Sequence, residues 1–197
     1  MRQILRSLIL FLSVVSLSAC GYNTLQSQDE QIKASWAEVL NQYQRRADLV
    51  PNLVQVVKGY AEHEKKIFDD VSEARSKLGT INPSPALLEN PAQFEQFNNA
   101  QKGFGTAVHQ LLAIAENYPN LKADGAFRDL QAQLEGTENR IAVARNRYIQ
   151  AVQEFNTTVR SFPSNFTAKW LSMTPKPTLT VENESAVSKP PTIDFGK

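Results

Sequence analysis

From Trp36 onwards the apolar residues fall at alternating steps of four and three: Trp36, Leu40, Tyr43, Ala47, Val50, Val54, Val57, Ala61, Phe68, Val71 and Leu78, with Glu64 and Arg75 keeping the count. A stripe with that spacing winds along one side of a helix and is buried only against other helices. Two more stripes follow. One runs Phe94, Phe97, Gln101, Phe104, Val108, Leu111, Ala115, Tyr118, and the other Phe127, Leu130, Leu134, Thr137, Ile141, Ala144, Tyr148, Ala151, Phe155, Thr158, Phe162. No alternating pattern of strand type competes with them. Helices with one apolar stripe each bury those stripes against one another, so the expectation is all-α: an elongated antiparallel bundle of three long helices. Residues 79–91, opened by Gly79 and holding three prolines, and residues 117–124 read as loops. Pro163 closes the third helix. Residues 164–171 predict a short C-terminal fourth helix that caps the bundle with Phe166, Trp170 and Leu171.

Pro51 interrupts the first stripe. Proline lacks the N–H that an interior helical residue donates and clashes with the carbonyl four residues earlier, at about 3 kcal/mol. The apolar count nevertheless passes through it without a skip, since Val50 and Val54 stay in register with both flanks. The expectation is one first helix over about residues 28–78, kinked at Pro51. A break there, with Asp48 as N-cap, is the alternative.

Ahead of the helices, Arg2 and Arg6 precede an apolar run, Leu8 to Leu17, that is short for a membrane span of about 20 residues. The run ends in Leu17-Ser18-Ala19-Cys20-Gly21, which resembles the bacterial lipoprotein signal and holds the chain's single cysteine. That resemblance implies a lipidation site at Cys20: a diacylglyceryl thioether, cleavage before the cysteine, and acylation of the new amino group. An ordinary signal peptide or an uncleaved anchor is the plainer reading. Several acyl chains meet the two-signal requirement for stable anchoring. Gly21, rather than Asp, after the cysteine implies outer-membrane sorting, facing the periplasm, in a Gram-negative cell. The resulting division is 1–19 signal peptide, 20–27 lipidated N-terminus and tether, 28–173 helical bundle, and 174–197 flexible proline-rich tail.

The chain has 21 Lys and Arg against 20 Asp and Glu; losing Arg2 and Arg6 with the leader leaves 19 against 20. Nucleic-acid binding needs a concentrated basic face, and Arg45-Arg46 and Lys65-Lys66 are the densest basic runs, so no nucleic-acid partner is expected. Enzyme chemistry fares no better. His63-Glu64 opens a zincin-like string, but Ile67 stands where the second histidine belongs. Di-iron bundles need Glu-x-x-His, and Tyr60 and Thr106 precede His63 and His109 at that spacing. Gly103 and Gly105 fall within a helical stripe, where small residues admit a neighbouring helix rather than a phosphate. The expectation is no enzyme, no metal and no cofactor. The best polar candidate is an inter-helix cluster of Glu64, Arg75, Glu135, Thr137, Asn139 and Arg140. It is either a docking or ligand pocket, or a set of ion pairs with Glu64 and Thr137 fixing register.

Three strings carry a family resemblance: QYQRRADLVPNLVQVVKGYAEHE (42–64), AENYPNLKA (115–123) and QLEGTENRIAVARNRY (133–148). Their order and spacing resemble the LemA family over residues 22–170. The resemblance implies a cell-envelope helical bundle with no established catalytic residues. Two departures stand out: a lipoprotein signal where many members keep a transmembrane helix, and AKWLSMTPKP in place of a glycine-phenylalanine ending. The function expected is a membrane-anchored envelope lipoprotein that serves as a helical scaffold for another envelope protein, its membrane contact made through the N-terminal lipid. The alternative is a small-ligand-binding or enzymatic bundle with a polar inter-helix site.

Overall fold

The computed structural model describes the backbone of residues 2–179 and the side chains of residues 21–179. Among these it holds six α-helices and no strand: α1 Arg2–Lys58, α2 Lys65–Gly79, α3 Pro91–Ala113, α4 Pro119–Ala123, α5 Gly125–Arg160 and α6 Ser164–Trp170. The Cys20 side chain, those of the leader, and residues 180–197 lie outside the described residues.

The all-α reading holds, but the first helix is not one rod from 28 to 78. Pro51 sits inside α1, flanked by buried Val50 and Leu53. The chain turns instead at residues 59–64, and α2 packs along α3. The heptad survives this corner because the corner is itself built of helix-like hydrogen bonds. Ala61 N–H donates to Val57 O at 2.9 Å, Glu64 N–H to Ala61 O at 3.1 Å and Phe68 N–H to Glu64 O at 3.4 Å. Residues therefore keep turning at nearly helical pitch while the axis changes direction.

Partners on α5 fall in number as those on α1 rise, Glu38 with Arg147 and Arg46 with Glu138, and just beyond the two helices Tyr60 pairs with Asp124, so these long helices run antiparallel. Against α3 the numbers rise together, Trp36 with Phe94, Tyr43 with Phe97, Arg46 with Gln101. The buried stripe of α1 is shifted by one residue at alternate positions from the expected one. Val39, Arg46 and Leu53 are buried, whereas Leu40, Ala47 and Val54 are only half-buried.

Two apolar cores result. The first joins residues 25–43 of α1 to the C-terminal half of α5 around Trp36, whose ring lies 5.4 Å from Phe94, 5.7 Å from Phe97 and 5.2 Å from Tyr148. The second gathers Val50, Leu53 and Val57 with Phe68, Phe104, Leu111, Phe127 and Leu134.

Both expected loops carry structure. A 3-10 turn at Pro85–Glu89 buries Leu87 and Leu88, and α4 occupies 119–123. The expected tether at 20–27 is helical from Gly21 on, with Leu25 in the first core. The expected flexible tail begins as a strap: Asn156 accepts from Lys176 N–H at 2.8 Å and donates to Lys176 O at 3.0 Å, Tyr148 Oη donates to Pro177 O at 2.8 Å, and Leu179 is buried. Helix α6 forms as expected, but it buries Ala168 and leaves Phe166 and Trp170 exposed. They do not cap the core.

Candidate functional site: a buried arginine layer beneath a groove

Arg46 occupies a stripe position between the two cores and is 4% exposed. Its Nη1 donates to Glu138 Oε1 at 3.1 Å and Oε2 at 3.4 Å, and its Nη2 donates to Gln101 Oε1 at 2.7 Å and Gln101 O at 3.1 Å. The guanidinium carbon lies 5.3 Å from the Tyr43 ring centroid and 5.5 Å from that of Phe104, within cation–π range. Its Nε is buried without a protein acceptor. Gly105 makes room for the group, since a Cβ there would stand 3.2 Å from Nη1. Gly103 meets nothing within 4 Å. Gly105 thus admits an arginine side chain, and neither glycine a neighbouring helix.

Above this layer lies a groove of about 650 Å³ between α3 and α5. Lys102, His109, Arg145 and Asn146 line it, with Arg46 and Glu138 behind them and Leu179 of the strap also in its wall. Three cations and one carboxylate in one groove favour an acidic group over a basic one. Among the described residues no group of three or more His, Cys, Asp or Glu could hold a metal ion.

A second polar cluster ties the far corner. Tyr60 Oη donates to Asp124 Oδ2 at 2.9 Å, and Tyr118 Oη donates to Glu64 Oε1 at 3.2 Å. Asp124 also caps α5 by accepting from Phe127 N–H at 2.9 Å; that bond, then Tyr60, holds its carboxyl below the usual range. Desolvation, then Glu64, raises the Tyr118 phenol.

The six polar candidates do not line the groove. Glu64 binds Tyr118 at the corner; Thr137 is fully buried and returns its hydroxyl to Gln133 O at 2.7 Å; exposed Glu135 accepts from Gln131 Nε2 at 3.0 Å. Arg75, Asn139 and Arg140 are exposed. The residues that do converge, Arg46, Gln101 and Glu138, were hidden because an arginine beside an alanine reads as the solvated neighbour. One signal pointed to them: Gln101 is a polar residue inside an otherwise apolar stripe.

The three strings singled out in the sequence meet in space at these two clusters, the first and third through Arg46 with Glu138 and the first and second through Glu64 with Tyr118. These clusters define an all-helical protein whose signature residues tie helix to helix. The chain belongs to the LemA family, which it matches over residues 35–195. It is similar to magnetosome proteins MamQ 1 and MamQ 2 of Paramagnetospirillum magneticum, each 30% identical over 178 residues, covering 80% of this chain and 65% of theirs. Magnetosome protein MamQ of Magnetospirillum gryphiswaldense is 27% identical over 178 residues, covering 82% of this chain and 64% of its own. The chain therefore spans just under two thirds of the length of these relatives. The family match reaches past residue 170 into the strap.

Proposed function

We propose that this protein is a membrane-associated envelope scaffold, anchored through lipid on Cys20, that presents the outer faces of its helices to another envelope protein. The observation carrying this reading is that the two polar clusters joining the helices are satisfied chiefly by one another, the Arg46 Nε excepted. Arg46 is engaged by Gln101 and Glu138, and the signature tyrosines by Asp124 and Glu64. Such networks fix helix register, the best-attested use of buried polar residues. Membership of the LemA family and the likeness to magnetosome proteins support the membrane association. The finer features belong to the same reading: an elongated antiparallel bundle, a kink at Pro51, an outer-membrane position facing the periplasm in a Gram-negative cell, and no enzymatic step or cofactor. Labelling cells with a lipid precursor tests the anchor. The wild-type chain takes up label and Cys20→Ser does not; a Cys20→Ser chain that keeps its label contradicts the assignment.

A second reading, a small acidic ligand in the groove, is favoured by the unpartnered Arg46 Nε and by Lys102 at the groove wall. Its mark is a melting temperature raised by a carboxylate or phosphate compound in wild type but not in Lys102→Glu.

A further inference from the structure

Of the six large apolar or aromatic side chains exposed among the described residues, four lie at one end of the molecule: Tyr22, Phe162, Phe166 and Trp170. Phe162, Phe166 and Trp170 follow at steps of four, and the rings of Phe162 and Phe166 touch edge to face at 6.1 Å. Trp170 is 80% exposed and Phe162 79%. Side chains of this size left in water at one place mark an interaction surface.

Its position says what covers it. Gly21 packs against α6, where a Cβ would lie 3.4 Å from Thr167 Oγ1 and 3.6 Å from Ser164 Oγ. Cys20 is the next residue back along α1. A lipid on Cys20 would be attached one residue before Gly21, which is the residue packed on α6. The charges agree with a lipid surface. Residues 21–28 carry no charge, and residues 160–171 carry Arg160 and Lys169 with no acid. Both cations are exposed. Aromatic rings flanked by lysine or arginine settle at the headgroup level of a bilayer, and basic residues are drawn to an anionic surface.

We infer that Tyr22, Phe162, Phe166 and Trp170, with Arg160 and Lys169, form a membrane-docking face that lies in the headgroup region of an anionic bilayer. This face would hold the bundle at a set orientation over the membrane instead of leaving it swinging from its acyl chains. The inference rests on the anchor reading for its location, and on the exposed rings and charges for its chemistry.

The chain's two tryptophans allow a direct test, because Trp36 is 1% exposed within the first core. The full chain is reconstituted into vesicles of phosphatidylethanolamine and phosphatidylglycerol, with and without brominated acyl chains. Trp170→Phe gives the Trp36 emission alone, and the difference gives that of Trp170. The expected result is a blue-shifted Trp170 emission that brominated chains quench and aqueous iodide does not, with Trp36 unaffected by either. Trp170 open to iodide and untouched by bromine overturns the inference. Shielding from both also overturns it, and assigns the face to a protein, either a second copy or a partner. Lipid labelling of the same preparation separates the two readings. An unlabelled chain whose Trp170 is quenched by bromine keeps the docking face and removes the anchor. A labelled chain whose Trp170 stays in water does the reverse.

Discussion

A guanidinium held between the Tyr43 and Phe104 rings cannot be removed without leaving its acceptors stranded. Arg46→Ala should destabilise the fold by about 3 kcal/mol, because a cavity opens and Gln101 loses its partner. Glu138 is 35% exposed, so Glu138→Gln should lose only about 1 kcal/mol. Denaturant unfolding of the two variants checks the ranking. The glycines of α3 give a sharper contrast. Alanine is favoured over glycine in a helix interior by about 1 kcal/mol, and Gly103→Ala should gain most of that, having nothing within 4 Å. Gly105→Ala should gain nothing or lose stability, because its Cβ would press at 3.2 Å on a guanidinium pinned by hydrogen bonds. Asp124 carries a pH signature. Its folded carboxyl titrates below the ordinary value of 3.8, so the stability it lends is complete above that value and is lost as pH falls through the depressed one. Thermal melts of wild type and Asp124→Asn from neutral to acid pH should therefore converge, since the neutral amide keeps a cap without that titration.

Among the elements, α1 carries the clearest test. Pro51 lies inside it, half-buried, between stripe residues that are in the core on both sides. Pro51→Ala restores an N–H and relieves a clash, so it should leave the fold intact and raise stability, by at most about 3 kcal/mol. Clear destabilisation in a thermal melt would mean that Pro51 starts a helix. The apolar spacing showed three stripes and placed Phe94 to Ala115 and Phe127 to Phe155 on the core side almost residue by residue. It could not show the turn at residues 59–64, since a corner made of helical hydrogen bonds preserves the count that a looser loop would break. Nor could it choose between Leu40, Ala47 and Val54 and their neighbours Val39, Arg46 and Leu53. Both sets lie beside the shared positions Trp36, Tyr43, Val50 and Val57, and only the direction of the neighbouring helices decides. Choosing the more apolar set hid Arg46 and with it the candidate site. The aromatics of α6 misled for the opposite reason, because a large ring reads as core unless its partner is outside the protein.

At the scale of the whole molecule, the strap closes over the first core. The strap brings Leu179 into the first core, and buried Tyr148, its phenol raised by burial, stays a donor to Pro177 O. Leu179→Ala should lose about 2 kcal/mol, the low end for a buried leucine because the strap can relax around it. The scaffold account places a partner on the exposed outer faces of the two long helices. In-cell photocrosslinking from exposed positions on the two long helices, Asn41 and Asn52 on α1 and Asn139 and Asn146 on α5, addresses that directly. The scaffold account predicts discrete crosslinks to another envelope protein from a contiguous subset of these positions, lost or redirected in Cys20→Ser. Positions that all remain uncrosslinked in cells, with the protein correctly folded and anchored, would contradict it.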